Sequence, residues 1–150
     1  VGNTLEVEGR NGLKLVADLP FESVLDRQPD LVVLPGGPGH TALLEDHRLI
    51  HFLRHQDRGG RLVASICAGP VVLDKAGLLE GKAYTSFPGT ATQLPKRDAE
   101  RAVVRDGNLI TSQGAGTAIE FGLALVESLF GEAVRQEIAD SICFHPQRGK

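Results

Sequence analysis

The stretch Arg61-Leu62-Val63-Ala64-Ser65-Ile66-Cys67-Ala68-Gly69-Pro70 decides how this chain folds. Its first six residues are largely aliphatic and follow Gly59-Gly60, so they read as a buried strand. That strand runs straight into Cys67, and a helix over about residues 71–76 follows, ended by Gly77. A sulfur nucleophile therefore sits where a strand turns sharply into a helix, and the small residues Ala68 and Gly69 permit the bend. The helix N-terminus is expected to turn unpaired N–H groups toward the sulfur, which favours thiolate over thiol. Thiolate is the form that adds to carbonyls and is oxidised to sulfenic or sulfinic acid. From this stretch alone, a buried and inert free cysteine reads equally well.

The neighbouring segments repeat the pattern. Leu31-Val32-Val33-Leu34 is an unbroken apolar run closed by Pro35-Gly36-Gly37-Pro38-Gly39, a second buried parallel strand. The spacing predicts a helix over 41–58 with Leu43, Asp46, Ile50 and Leu53 on one face. A third short strand is expected over 83–86, then a loop to Asp98. Residues 101–105 and 108–111 flank Asp106-Gly107 as a hairpin. Ser112-Gln113-Gly114 leads toward a helix over 118–130, whose core face is read as Ile119, Leu123, Val126 and Phe130. A last helix covers about 132–142. Near the start, Asn11-Gly12 turns a further hairpin between residues 5–7 and 13–16, and 21–25 is a brief helix.

This alternation implies an α/β sandwich with ligands bound beyond the carboxyl ends of its strands. Those ends are Pro35-Gly36-Gly37, Ser65-Ile66-Cys67 and Ser112-Gln113-Gly114. Gly36 and Gly37 raise the functional reading of Cys67, because their N–H groups are placed to form an oxyanion or sulfinate pocket with that of Ala68.

Composition excludes other classes. Among 150 residues, Lys plus Arg is 16 and Asp plus Glu is 19, a net charge of −3, with no basic block. A nucleic-acid groove or an anionic-membrane surface is not indicated. No apolar run approaches the ~18 residues of a membrane span, and no leader pattern is visible. Cys67 and Cys143 stand far apart in unlike contexts, so a reducing, cytoplasmic compartment is expected. His47, His51 and His55 recur every four residues, a spacing at which two histidines can share a metal. No acidic or thiol ligand of clear spacing joins them, so a solvated helix face is the better reading and no metal is assigned. His40 is a candidate for the pocket rim, though a surface loop position suits it as well.

Three ordered motifs make the chain resemble the ThiJ/PfpI superfamily, on the branch of bacterial YajL and the human parkinsonism-associated deglycase. They are Val32-Val33-Leu34-Pro35-Gly36-Gly37, Ser65-Ile66-Cys67-Ala68-Gly69-Pro70 and the run from Thr111-Ser112-Gln113-Gly114 to Glu120-Phe121-Gly122. The resemblance covers residues 1–140. It implies a flavodoxin-like three-layer sandwich, close to class I glutamine amidotransferases, with a mostly parallel sheet and a β-hairpin. It further implies that Cys67 is the reactive cysteine beside the amides of Gly36, Gly37 and Ala68. Ser112, Gln113 and Gly114 would lie at the pocket rim, and Arg10 would reach the site of a partner subunit. Members act as homodimers, and no cofactor is expected for this chain. They are credited with glyoxalase activity, deglycase activity on proteins and nucleotides, chaperone activity and oxidative-stress roles.

Two departures carry expectations of their own. Family members begin with a strand, a helix and a second strand ahead of the part matching Val1, and that helix carries a glutamate that hydrogen-bonds the cysteine. The chain is thus expected to be one domain over 1–150, complemented by a segment of roughly 35 to 40 residues, the length of such a unit. Phe87 stands where some branches place a histidine, which disfavours a protease-type Cys–His pair. The leading expectation is a cysteine-dependent glyoxalase or deglycase acting on 2-oxoaldehydes or their early adducts. The alternative is a redox sensor or holdase chaperone whose Cys67 becomes sulfinate without turnover. Isocyanide hydration ranks below both, because the bend continues as Ala-Gly-Pro.

Overall fold

A computed structural model describes residues 5–145. Strands β1 (Glu6–Glu8) and β2 (Lys14–Val16) form an antiparallel hairpin pairing Glu6 with Val16 and Glu8 with Lys14. Asn11 and Gly12 turn it at φ 63° and 78°, a conformation Asn and Gly reach at least cost. A 3-10 turn over Phe21–Val24 leads to the main sheet.

That sheet contains β3 (Leu31–Leu34), β4 (Leu62–Ile66), β5 (Val103–Asp106) and β6 (Leu109–Ser112), in the order β3-β4-β6-β5. The first three in that order run parallel, and β5 closes the sheet antiparallel to β6. Side chains alternate between faces. Val63 and Leu109 enter one core with α1 (His40–Glu45), α2 (His47–Arg58) and α3 (Pro70–Lys75). Ala64 and Ile110 enter the other, against Phe121 of α4 (Ala118–Phe130). Helix α5 (Glu132–Ser141) packs on α4. Helices thus cover both faces of a mostly parallel sheet, the expected three-layer α/β sandwich.

Three expectations are corrected. The helix read over 41–58 is two helices. Asp46, expected on the core face, breaks the run at ψ 96° and caps α2, its carboxylate accepting from the N–H groups of Arg48 and Leu49. The segment 83–86 is not a sheet strand, and Thr85 makes only an isolated bridge to Asp98. Because β6 is already paired on both edges, side chains hold the segment instead. Thr85 N–H donates to Thr111 Oγ1 at 2.9 Å and Ala83 N–H to Asp106 Oδ2 at 2.8 Å. On α4 the core face is Phe121, Leu123, Ala124 and Leu125, while Ile119 and Phe130 stand 50 % and 67 % exposed. The helix is apolar nearly all round, so periodicity could not choose its inner face.

Candidate active site

The bend after β4 places Cys67 at φ 65°, in the left-handed region that side chains other than glycine seldom adopt. Such a conformation costs about 1–3 kcal/mol and persists only where surrounding structure imposes it. Here both backbone groups of Cys67 are tied to other segments. Its N–H donates to the carbonyl of Ser112 at the end of β6 (3.0 Å), and its own carbonyl accepts from Phe87 N–H (2.9 Å). Gly69 completes the bend, because a Cβ there would meet the carbonyl oxygens of Leu34, Pro35 and Ile66 within 3.1 Å.

Gly36 lies directly against the cysteine. A Cβ on it would stand 2.4 Å from Cys67 Cβ and 3.0 Å from both Sγ and the Ala68 nitrogen. Gly37 turns the chain at φ 89° and opens the route to α1. His40, half-buried, donates from Nδ1 to the Gly37 carbonyl at 2.9 Å, as does its backbone N–H at 3.2 Å. It therefore braces the turn that carries the two glycines.

The disposition of backbone donors corrects one expectation. Helix α3 does not leave its first N–H groups free. Pro70 has none, Val71 N–H donates to Ala68 O, and Val72 N–H donates to Gly69 O. The unused donors lie just outside the helix. Among the described residues, the N–H groups of Gly36, Gly37 and Ala68 donate to no acceptor. These are the three amides that the sequence marks for an anion pocket. Cys67 itself is half-buried, and no hydrogen bond engages its Sγ among the described residues.

The remaining predicted positions separate. Ser112 is fully buried; its hydroxyl donates to Ala102 O (2.9 Å) and pairs with Thr117 Oγ1 (2.6 Å), so it positions Cys67 through its carbonyl instead of lining a rim. Gln113 donates to the carbonyls of Ala99 and Arg101 and ties down the loop before β5. Gly114 faces the half-exposed ring of Phe87, with room for a Cβ 3.7 Å from it. Arg10 is exposed in the turn between β1 and β2. Cys143 is exposed beyond α5.

Sequence reading missed how far the Cys67 bend depends on the 84–98 segment. Phe87 N–H holds its carbonyl, Ser86 and Thr90 hydroxyls pair at 2.8 Å, and Arg97 Nε donates to Ser86 O. These contacts join residues distant in sequence, and only the alternation of Ser, Thr and Gly hinted at a braced loop. Four grooves of about 340 to 580 Å³ lie elsewhere on the surface, and none is lined by Cys67.

A family model matches the chain over residues 1–128, a span that contains the Cys67 bend and the Gly36-Gly37 turn. The chain belongs to the DJ-1/PfpI family. Its sequence is 39 % identical to protein dj-1beta of Drosophila melanogaster, over 94 % of this chain and 82 % of that protein. The crystal structure of that DJ-1beta superposes with a TM-score of 0.91, covering 96 % of this chain and 79 % of the other. A glutathione-independent glyoxalase of Caenorhabditis elegans is 31 % identical, over 94 % of this chain and 77 % of its own length. A deglycase of Pyrococcus horikoshii is 34 % identical over 71 % and 66 %, and an isonitrile hydratase of Pseudomonas putida 36 % identical over 93 % and 62 %. These relatives carry the names of three different activities.

Proposed function

We propose that this DJ-1/PfpI chain is a cysteine-dependent glyoxalase or deglycase acting on small 2-oxoaldehydes or their early adducts on amines and thiols. The observation that carries the reading is the pairing of the strained Cys67 with the unused amides of Gly36, Gly37 and Ala68. In the proposed reaction, the Cys67 thiolate forms a C–S bond to the aldehyde carbon of methylglyoxal. The developing oxyanion takes hydrogen bonds from the idle amides, donors fixed before the reaction begins. A proton moves from that carbon to its neighbour through an enediol, giving a 2-hydroxy thioester. Water then attacks, the C–S bond breaks, and lactate and the free thiol are released. The step consumes water alone and draws on no cofactor.

The proposal extends to assembly and location. The β1–β2 hairpin shows Leu13, Leu15 and Val16 at 62 %, 56 % and 74 % exposure, and a homodimer would cover them. Two unpaired cysteines suit the reducing cytoplasm, and no helix among the described residues is long and apolar enough to cross a membrane. Conversion of methylglyoxal to lactate by the wild-type protein, reduced at least about 100-fold in Cys67→Ser, is the expected result, since the alcohol is a far weaker nucleophile. Equal rates for the two proteins would refute it.

A second reading rests on the same amides, which would hold a sulfinate as readily as an oxyanion. Two equivalents of peroxide would oxidise Cys67 through sulfenate to sulfinate, each being reduced to water. Selective gain of two oxygens at Cys67 by mass spectrometry, with no aldehyde consumed, would favour this sensor or holdase role over turnover. Hydration of an isocyanide without lactate formation would favour the third chemistry in the family.

A further inference from the structure

Helix α2 carries a feature that the Cys67 chemistry does not use. His47, His51 and His55 are all exposed, and among the described residues their rings take part in no hydrogen bond or ion pair. They line one groove of about 580 Å³, whose other wall includes Leu25, Asp26 and Arg27. Helical residues four apart have Cβ atoms about 6 Å from each other, within the reach of two imidazoles to one ion. Residues eight apart are separated by about 12 Å of rise, too far to share one. His51 is therefore common to both usable pairs, His47–His51 and His51–His55.

The charges around the groove do not oppose a cation as strongly as its two arginines suggest. Arg48 is held by Asp46 (2.7 Å) and Glu22 (2.6 Å), and Asp26 shares the groove with Arg27. No group of three His, Cys, Asp or Glu side chains among the described residues is arranged to enclose a metal. Two imidazoles with water in the remaining positions make the arrangement that the helix does supply.

We propose that this face of α2 is a two-histidine site for a divalent transition ion such as Zn²⁺, built on His51 with either His47 or His55. Imidazole nitrogen is a preferred ligand of such ions, and all three histidines line the groove. The shared histidine makes a distinctive prediction. Calorimetric titration of untagged protein with ZnCl₂ should show one equivalent bound, with the His51 ring signals shifting in NMR spectra. His51→Ala should weaken binding at least 10-fold. His47→Ala and His55→Ala should each weaken it only about 2-fold, since one pair survives in either. Circular dichroism of these exposed variants should match the wild type. The proposal is overturned if His51→Ala binds as the wild type does, or if Cys67→Ser abolishes the binding, which would move the ion to the cysteine. The outcome is independent of lactate formation, so failure here leaves the proposed reaction untouched.

Discussion

At the scale of single residues, two glycines beside Cys67 do different work. Gly36 is required by contact: an added Cβ would overlap Cys67 Cβ at 2.4 Å, so one of the two segments would have to shift. Gly36→Ala is expected to cost about 1–3 kcal/mol of stability and most of the activity. Gly37 has nothing within 4 Å of a built Cβ but sits at φ 89°. Gly37→Ala should therefore cost about 1 kcal/mol through backbone strain alone, with activity better preserved. Chemical denaturation together with lactate assays separates the two cases. Asp98 anchors the loop that carries Phe87. N–H groups of Arg101 and Glu100 and the Arg101 guanidinium hold its carboxyl at about 2, below its usual 3.8. A depressed folded value means the contribution is complete above the unfolded value and fades as pH falls. Between pH 4 and 2 the wild type should lose denaturation resistance faster than Asp98→Asn.

At the scale of elements, the break between α1 and α2 shows a capping residue overriding periodicity. Asp46 falls where a continuous helix would place it among Leu43, Ile50 and Leu53, yet its carboxylate serves the start of α2. Its acid is held below the ordinary carboxylate range, chiefly by the Arg48 guanidinium. Asp46→Ala should cost about 1 kcal/mol, read as a lowered denaturation midpoint. Segment 83–86 makes the complementary point. Its composition suits a strand, but a strand needs a free edge, and β6 offers none. Helix α4 was bounded correctly from sequence, while its inner face was fixed only by packing against Ala64 and Ile110.

At the scale of the molecule, two apolar surfaces stand exposed. The β1–β2 hairpin has every strand residue exposed, and a lone two-stranded ribbon is marginal in water. Sedimentation should show a species of twice the mass of one chain, and Leu15→Asp with Val16→Asp should reduce it to one chain. A persistent dimer in that variant would place the interface elsewhere. The outer edge of β3 is the second surface. Leu31-Val32-Val33-Leu34 has an apolar composition typical of an interior strand, yet it ends the sheet, with Val33 42 % exposed above an apolar groove of about 490 Å³.

Local chemistry alone determined the strands at 31–34 and 62–66, the two hairpins, the helix at 118–130 and the singling out of Cys67 with Gly36, Gly37 and Ala68. Each is written in contiguous residues: an apolar run, a turn dipeptide, a small-residue bend. What only the tertiary structure decided is which amides remain free. Whether an N–H is idle depends on every partner nearby, and those of the Cys67 bend are an acceptor from β6 and donors from the 84–98 loop and α3, which the chain brings together only on folding.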